Sequence, residues 1–173
     1  TCALPISVTD ATEIIILDGQ TGSVAEDASV GDAVMTVSIT DSTPTAILFS
    51  AGNGDGIFAI ATSGAVTIAD ATNLDYETTA SYTLTIVAYD ASSSDVADIT
   101  ITITNANDAP TVASAQAAVS TAEDAVYSLD VSANFDDEDT ADTLSFTATG
   151  MPSTMSMSTA GVLSGTPLNA DVG

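Results

Sequence analysis

Regular alternation of apolar and polar residues is the feature that most constrains the fold of this chain. In 97–104 isoleucine alternates with threonine or aspartate, and 82–89 places Leu84 and Ile86 on one face and threonines on the other. Because successive side chains of a strand point to opposite faces, this pattern predicts strands with one buried face. The alternating or β-rich runs predicted as strands are 12–17, 33–40, 46–50, 57–60, 65–69, 82–89 and 97–104. Short strands separated by turn residues over about 90 residues are typical of a β-sandwich.

The pattern starts again after Pro110, which indicates a second module. Ser23–Ala28 (SVAEDA) returns as Ser120–Ala125 (STAEDA), so the chain contains an internal repeat. We therefore expect an all-β chain of tandem Greek-key β-sandwiches, the second of them incomplete. The predicted divisions are an N-terminal strand and linker, a first sandwich and a partial second sandwich, at 1–19, 20–110 and 111–173.

The charge of the chain has a single sign. There are 24 acidic residues and no lysine, arginine or histidine, for a formal net charge of -24. No side chain is able to neutralise phosphate, so nucleic acid is excluded as a partner and anionic membrane surfaces are disfavoured. No run of 18 apolar residues is present to insert into a membrane. Catalytic sites that need histidine are excluded, and Cys2 has no second cysteine for a disulfide within the chain.

Several of the acidic residues are clustered, and their chemistry suits calcium. The clusters contain Glu26, Asp75, Glu77, Asp108 and the run 136–139. Calcium takes about 6–8 oxygen ligands in a tolerant geometry, whereas zinc, copper and iron sites favour the nitrogen or thiolate ligands that this chain almost lacks. The alternative is that these carboxylates are ordinary solvated residues of turns on an acidic surface.

Four motifs in residues 20–110 resemble those of a prokaryotic cadherin-like repeat. They are an early glutamate motif at Val24–Glu26, an L-D-x-E motif at Leu74–Glu77, a strand motif at Tyr82–Asp90 and a linker motif at Asn105–Pro110. The linker departs from the family pattern D-x-N-D-N-x-P, since asparagine replaces its first aspartate and its second asparagine is missing.

The second module resembles a different but related family. Phe135–Pro152 and Leu163–Pro167 are similar to signature segments of the Ig-like domain also called dystroglycan-type cadherin-like, with one residue inserted before Asp142. Together the two resemblances imply a calcium site where the modules join. The implied ligands are Glu26, Asp75 and Glu77 from module one, Asn105, Asn107 and Asp108 from the linker, and Asp137 and Asp139 from module two. A second, weaker site is implied at the opposite end of module one by Asp10, Glu13, Asp41 and Asp90.

The expected function is a calcium-rigidified structural or adhesive module of an extracellular surface or filament protein. The alternatives are accessory domains of a larger secreted adhesin, with a cell-surface or glycan partner, or of a glycan-processing enzyme. The acids of 136–139 alone do not indicate a glycosidase, since the chain has no tryptophan to stack on a sugar, and we expect no enzymatic activity.

Self-association is expected from the two ends of the sequence. Residues 6–13 resemble a final cadherin-like strand and linker, whereas module two stops before two strands that its family would add. Head-to-tail strand addition into a fibre is one interpretation of these ends, and a window on a longer repeat protein is the other.

Overall fold

The computed structural model describes residues 13–40 and 42–171. The chain forms two compact units, Thr1–Ala106 and Asn107–Gly173. Strands and two short 3-10 helices are the regular elements of the described residues, which contain no α-helix. The all-β prediction is confirmed.

Unit one contains nine strands. They are β1 (Ile15–Ile16), β2 (Gln20–Ala25), β3 (Ala33–Thr36), β4 (Ile39–Thr40), β5 (Ala46–Ala51), β6 (Phe58–Ile60), β7 (Ala65–Ile68), β8 (Ser81–Tyr89) and β9 (Ser94–Thr104). A four-stranded sheet has the order β2-β9-β8-β5, a three-stranded sheet has the order β3-β7-β6, and β1 pairs with β4. Every pairing is antiparallel except that of β2 with β9. These two larger sheets form the sandwich that the alternation predicts.

The core of unit one lies on the faces that the alternation marks. Leu84 and Ile86 of β8, and Ile99, Ile101 and Ile103 of β9, are fully buried. The opposite sheet contributes side chains to the same hydrophobic cluster, including those of β6 and β7. Burying one aliphatic side chain of this size stabilises a fold by about 1.5–3 kcal/mol, so these two long strands supply much of the favourable free energy.

Strand β2 was missed by the sequence prediction, which has no strand at residues 20–25. The segment Gln-Thr-Gly-Ser-Val-Ala contains few β-branched or large apolar residues. Its pairing partner decides its conformation, because β2 lies parallel to β9 with Gln20 opposite Ile99 and Ala25 opposite Thr104. At Gly22 a Cβ atom would lie 3.0 Å from the side chain of Met35, so a residue without a side chain permits this close approach.

The segment before β2 is part of unit one where the structure describes it. Ile14 and Ile16 are buried in the core. The backbone N–H of Ile14 donates to Ser93 Oγ at 3.0 Å, and that of Ile16 donates to Asp95 Oδ2 at 2.7 Å. Of the predicted N-terminal strand and linker at 1–19, Ile14 and Ile16 therefore pack against the sandwich, and residues 1–12 lie outside the described residues.

Unit two has shorter elements. Its strands are β10 (Thr111–Val112), β11 (Tyr127–Asp130), β12 (Phe135–Asp136), β13 (Met155–Met157) and β14 (Val162–Gly165), and its 3-10 helices are Ser132–Asn134 and Asn169–Asp171. β10 pairs with β12, and the three-stranded sheet has the order β11-β14-β13. Within residues 107–171 no hydrophobic side chain is classed as buried, although Phe135 and Phe146 contact each other edge to face at 5.5 Å between ring centres.

Candidate metal centre

Glu26 is held by backbone groups from two distant parts of unit one. It follows directly after β2, and its own N–H donates to the carbonyl of Thr104 at the end of β9. Its two carboxylate oxygens accept the backbone N–H groups of Tyr76 and Ala106, each at 2.6 Å. The carboxylate therefore joins the 73–77 loop to the segment that follows β9.

Asp75 is fixed within that same loop. Its carboxylate accepts the backbone N–H of Thr78 at 2.7 Å and the Thr78 hydroxyl at 2.8 Å. The Thr78 backbone N–H, and then its hydroxyl, hold the pKa of Asp75 below its ordinary value, because both donors favour the ionised carboxylate. Leu74 is buried beside it and anchors the loop to the core.

Glu77 and Asn105 complete the group in unit one. The side-chain amide of Asn105 donates to Glu77 Oε1 at 2.9 Å. Asn105 follows β9 directly, so the end of this strand and the 73–77 loop contribute to one cluster. The carboxylates of Glu26 and Asp75 are half-buried, and that of Glu77 is exposed.

The three carboxylates lie close enough to share one ion. One oxygen from each of Glu26, Asp75 and Glu77 lies within 4.8 Å of the others. At this separation the negative charges of the three carboxylates repel one another. The chain has no lysine, arginine or histidine to relieve this repulsion. A set of hard oxygen donors with uncompensated negative charge fits calcium.

Unit two gathers a second acidic set. The backbone N–H of Asp108 donates to Asp139 Oδ2 at 2.7 Å, and the backbone N–H of Asp139 donates to Asp137 Oδ1 at 3.1 Å. The amide of Asn107 donates to the carbonyl of Asp108 at 2.6 Å. Asp139 is only 7% exposed, which makes it the one buried charged side chain among the described residues.

The eight residues implied for the main site thus occur as two sets of neighbours. Glu26, Asp75, Glu77 and Asn105 belong to unit one, and Asn107, Asp108, Asp137 and Asp139 belong to unit two. Whether both sets serve the same ions stays a prediction.

The residues implied for the weaker site are described only in part. Asp10 and Asp41 lie outside the described residues, and Glu13 is exposed. Asp90 accepts hydrogen bonds from the Ser42 hydroxyl and from the backbone N–H groups of Ser92 and Ser93. These donors, Ser42 first, lower the pKa of Asp90, so its carboxylate already has a structural role.

One acidic residue of structural importance was missed. Asp95, which accepts the N–H of Ile16, lies in β9 but precedes the predicted run 97–104, and it belongs to no recognisable motif. The sequence offered only an acid two residues before a predicted strand, and many surface acids have such a position.

One family model matches most of unit one, and a second matches most of unit two. The model described as cadherin domain matches residues 20–104. Residues 20–104 are therefore similar to the cadherin domain. The model described as putative Ig domain matches residues 109–173, directly after it. Both resemblances inferred from the motifs are confirmed, and no curated protein sequence matches the chain.

Solved cadherin structures have the same fold. Protocadherin gamma B2 extracellular cadherin domains 3-6 align with a TM-score of 0.62 at 20% identity, over 90% of this chain and 38% of that one. Mouse cadherin-23 EC22-24 gives 0.62 at 24% identity, over 90% and 55%. The human desmocollin-1 ectodomain gives 0.61 at 14% identity, over 90% and 34%. The chain therefore spans between about a third and just over half of the length of these structures.

No helix capable of spanning a membrane occurs among the residues that the structure describes.

Proposed function

We propose that this cadherin-domain chain is a calcium-binding structural and adhesive module of an extracellular surface or filament protein. The observation that carries the proposal is the convergence of Glu26, Asp75 and Glu77 within 4.8 Å in a chain without basic side chains. The family match supports it, because the glutamate and L-D-x-E motifs supply these same residues.

Calcium would supply positive charge at the point where three chain segments meet. The segments are the end of β2, the 73–77 loop and the residues after β9, and they contribute Glu26, Asp75, Glu77 and Asn105. These segments are distant in sequence and are brought together only by folding. An ion held by all three would therefore bind the folded chain in preference to the unfolded chain. At a calcium concentration a hundred times Kd, one such site stabilises the fold by about 2.7 kcal/mol.

The acidic set of unit two is part of the same proposal. Asn107, Asp108, Asp137 and Asp139 offer a second group of oxygen ligands, with Asp139 buried. The resemblance to cadherin-like repeats implies that the linker and both modules share calcium, which would stiffen the joint. Asp137→Asn tests the contribution of unit two, because the change removes one formal charge and little volume.

An extracellular location and self-association follow from the family as further parts of the proposal. Two of the solved structures that share the fold are described as extracellular domains or as an ectodomain. An adhesive or structural role does not require catalysis, and the motifs in both units are those of the two families. Nothing observed supports a glycan partner.

Titration calorimetry with calcium chloride on the full chain tests the proposal. Asp75→Asn keeps an oxygen that accepts the Thr78 N–H but removes the charge, so we expect calcium Kd to rise at least tenfold. Asp70→Asn is the matched control. Asp70 is also a loop aspartate with a lowered pKa, which its hydrogen bonds to Thr72 cause, but it is outside the cluster. We expect Kd to change less than twofold in this variant.

Two outcomes would contradict the proposal. One is the absence of heat from calcium binding to the unaltered chain at millimolar calcium. The other is an equal change of Kd in Asp75→Asn and Asp70→Asn, which would mean that calcium responds to net charge alone. Magnesium in place of calcium checks selectivity, since the smaller ion demands a tighter octahedral geometry.

A further inference from the structure

Unit two has an apolar groove on its three-stranded sheet. The cavity measures about 500 Å³ and is open to solvent. Its apolar lining consists mainly of Val119, Tyr127, Met151, Met155, Leu163 and Leu168, and we call it the unit-two groove. Val119 is 53% exposed and Leu168 is 45% exposed. A groove of this composition leaves apolar surface in contact with water, and covering it is favourable.

The sheet beneath the groove also has unpaired strand edges. In the order β11-β14-β13, both outer strands pair on one side only within the described residues. Such an edge exposes backbone N–H and C=O groups that an added strand is able to satisfy. The groove and the edges together favour an extended apolar segment as the occupant.

Residues 3–8 have the properties of that segment. Leu4, Ile6 and Val8 alternate with Ala3, Pro5 and Ser7, so a strand here would have one aliphatic face. Fully extended, the six residues span about 20 Å. Pro5 lacks an N–H and falls on the other face, which suits a strand at a sheet edge.

The charge of the groove is compatible with the same segment. Residues 1–9 contain no acidic side chain, although the whole chain carries 24. The groove is bordered by Glu123 and Asp171, which would repel a segment that carries carboxylates. A strand without carboxylates covers the groove without adding to this repulsion.

We propose that residues 3–8 of one copy occupy the unit-two groove of a second copy as an added strand. The contact joins two different surfaces, and each copy retains a groove and a segment for further partners. Association of this heterologous kind propagates into a linear assembly rather than closing into a two-fold dimer. The inference deepens the self-association included in the proposed function and names the contact that produces it.

The test compares two substitutions that add the same charge one residue apart. Sedimentation velocity over a range of concentrations should show the full chain growing into assemblies, also visible as filaments by electron microscopy. In Ile6→Asp the charge lies on the aliphatic face, and we expect sedimentation as a single 17.2 kDa chain. In Ser7→Asp it lies on the opposite face, and assembly should persist.

The groove side has its own pair of variants. Leu168→Asp alters the groove at an exposed position, and Val112→Asp alters unit two at a 64% exposed position that does not line the groove. We expect Leu168→Asp to abolish assembly and Val112→Asp to preserve it. A synthetic peptide of residues 1–12 added in excess should shorten the assemblies by capping grooves.

The inference is overturned if the unaltered chain stays monomeric at all concentrations. It is equally overturned if Ile6→Asp and Ser7→Asp behave alike, or if the peptide leaves the assemblies unchanged. Calcium calorimetry on Ile6→Asp separates this inference from the proposed function. Calcium binding without assembly contradicts only the strand addition, and assembly without calcium binding contradicts only the calcium site.

Discussion

Units one and two are both built mainly from antiparallel strands, but among the described residues only unit one encloses a hydrophobic core. Its strands β8 and β9 are nine and eleven residues long, whereas no strand of unit two exceeds four. Every buried hydrophobic residue of the described chain lies between Ile14 and Ile103. Pairing of strands alone therefore does not exclude water from the face of a sheet. A continuous aliphatic face on long strands does.

Composition explains part of this difference. Unit two contains no isoleucine, and its sheet offers Met155, Met157 and Leu163 instead. Methionine is flexible and fills irregular spaces, so it defines a packed face less strictly than a β-branched residue. Unit two therefore depends more than unit one on contacts outside its own sheet.

Truncation of a leucine in each unit tests whether only unit one has a packed core. Leu84 is 0% exposed in β8, and Leu84→Ala should lower the free energy of unfolding by about 3 kcal/mol, since it leaves a cavity in a packed core. Leu163 in β14 is only half-buried, so Leu163→Ala should cost about 1 kcal/mol. Urea denaturation followed by far-UV circular dichroism measures both. Equal losses would show that unit two has a core comparable to that of unit one.

The sequence predicted unit one well because its core strands carry their own signal. In β8 and β9 the alternation of aliphatic and polar residues marks the buried face directly. Both strands contain the predicted runs, although β9 begins at Ser94, three residues before the run predicted for it. β2 could not be predicted in this way, because a parallel pairing with β9 imposes its conformation on a weakly patterned segment. The conformation of residues 20–25 is thus determined by β9 rather than by their own sequence.

The candidate site shows the same division between local and tertiary information. The motifs identified Glu26, Asp75 and Glu77 as oxygen donors, and the structure brings these three together. Their backbone partners were not predictable, since the N–H groups of Tyr76 and Ala106 reach Glu26 only after the loop and the end of β9 have folded onto β2. Asp90 is the last residue of the strand motif, yet it accepts a hydrogen bond from the Ser42 hydroxyl. No spacing in the sequence predicts this bond.

Limited proteolysis compares the local stability of the two units. Trypsin has no site in the chain, since lysine and arginine are absent. A protease that cuts after aromatic residues should first cleave unit two, after Tyr127 or Phe135, because few buried contacts oppose local opening there. Cleavage after Phe58, which is 3% exposed in unit one, should be at least tenfold slower. Mass spectrometry of early fragments gives the order. A first cut within the core strands of unit one would contradict the comparison.

Each unit has a turn in which serines donate hydrogen bonds to an aspartate, and we expect these bonds to have a small effect on stability. In unit one the hydroxyl of Ser42 and the backbone of Ser92 and Ser93 lower the pKa of Asp90. In unit two the pKa of Asp130 is lowered by Ser132 alone. A carboxylate whose pKa is lowered by folding stabilises the fold fully above its ordinary pKa of 3.8, and this stabilisation is lost as pH falls through the lower folded value.

Removing one hydroxyl from each unit tests that difference. Ser42→Ala should raise the pKa of Asp90 and lower Tm at pH 6, where the stabilisation is complete. The variant should lose less Tm than the unaltered chain between pH 6 and pH 2.5, because less of the pH-dependent stabilisation remains to be lost. Ser132→Ala should change the same pH dependence by a smaller amount, since the variant keeps the Ser132 backbone N–H that donates to Asp130 at 2.9 Å. Thermal melts at the two pH values measure both variants. A larger change in Ser132→Ala would show that unit two, despite its open groove, has the more strongly held turn.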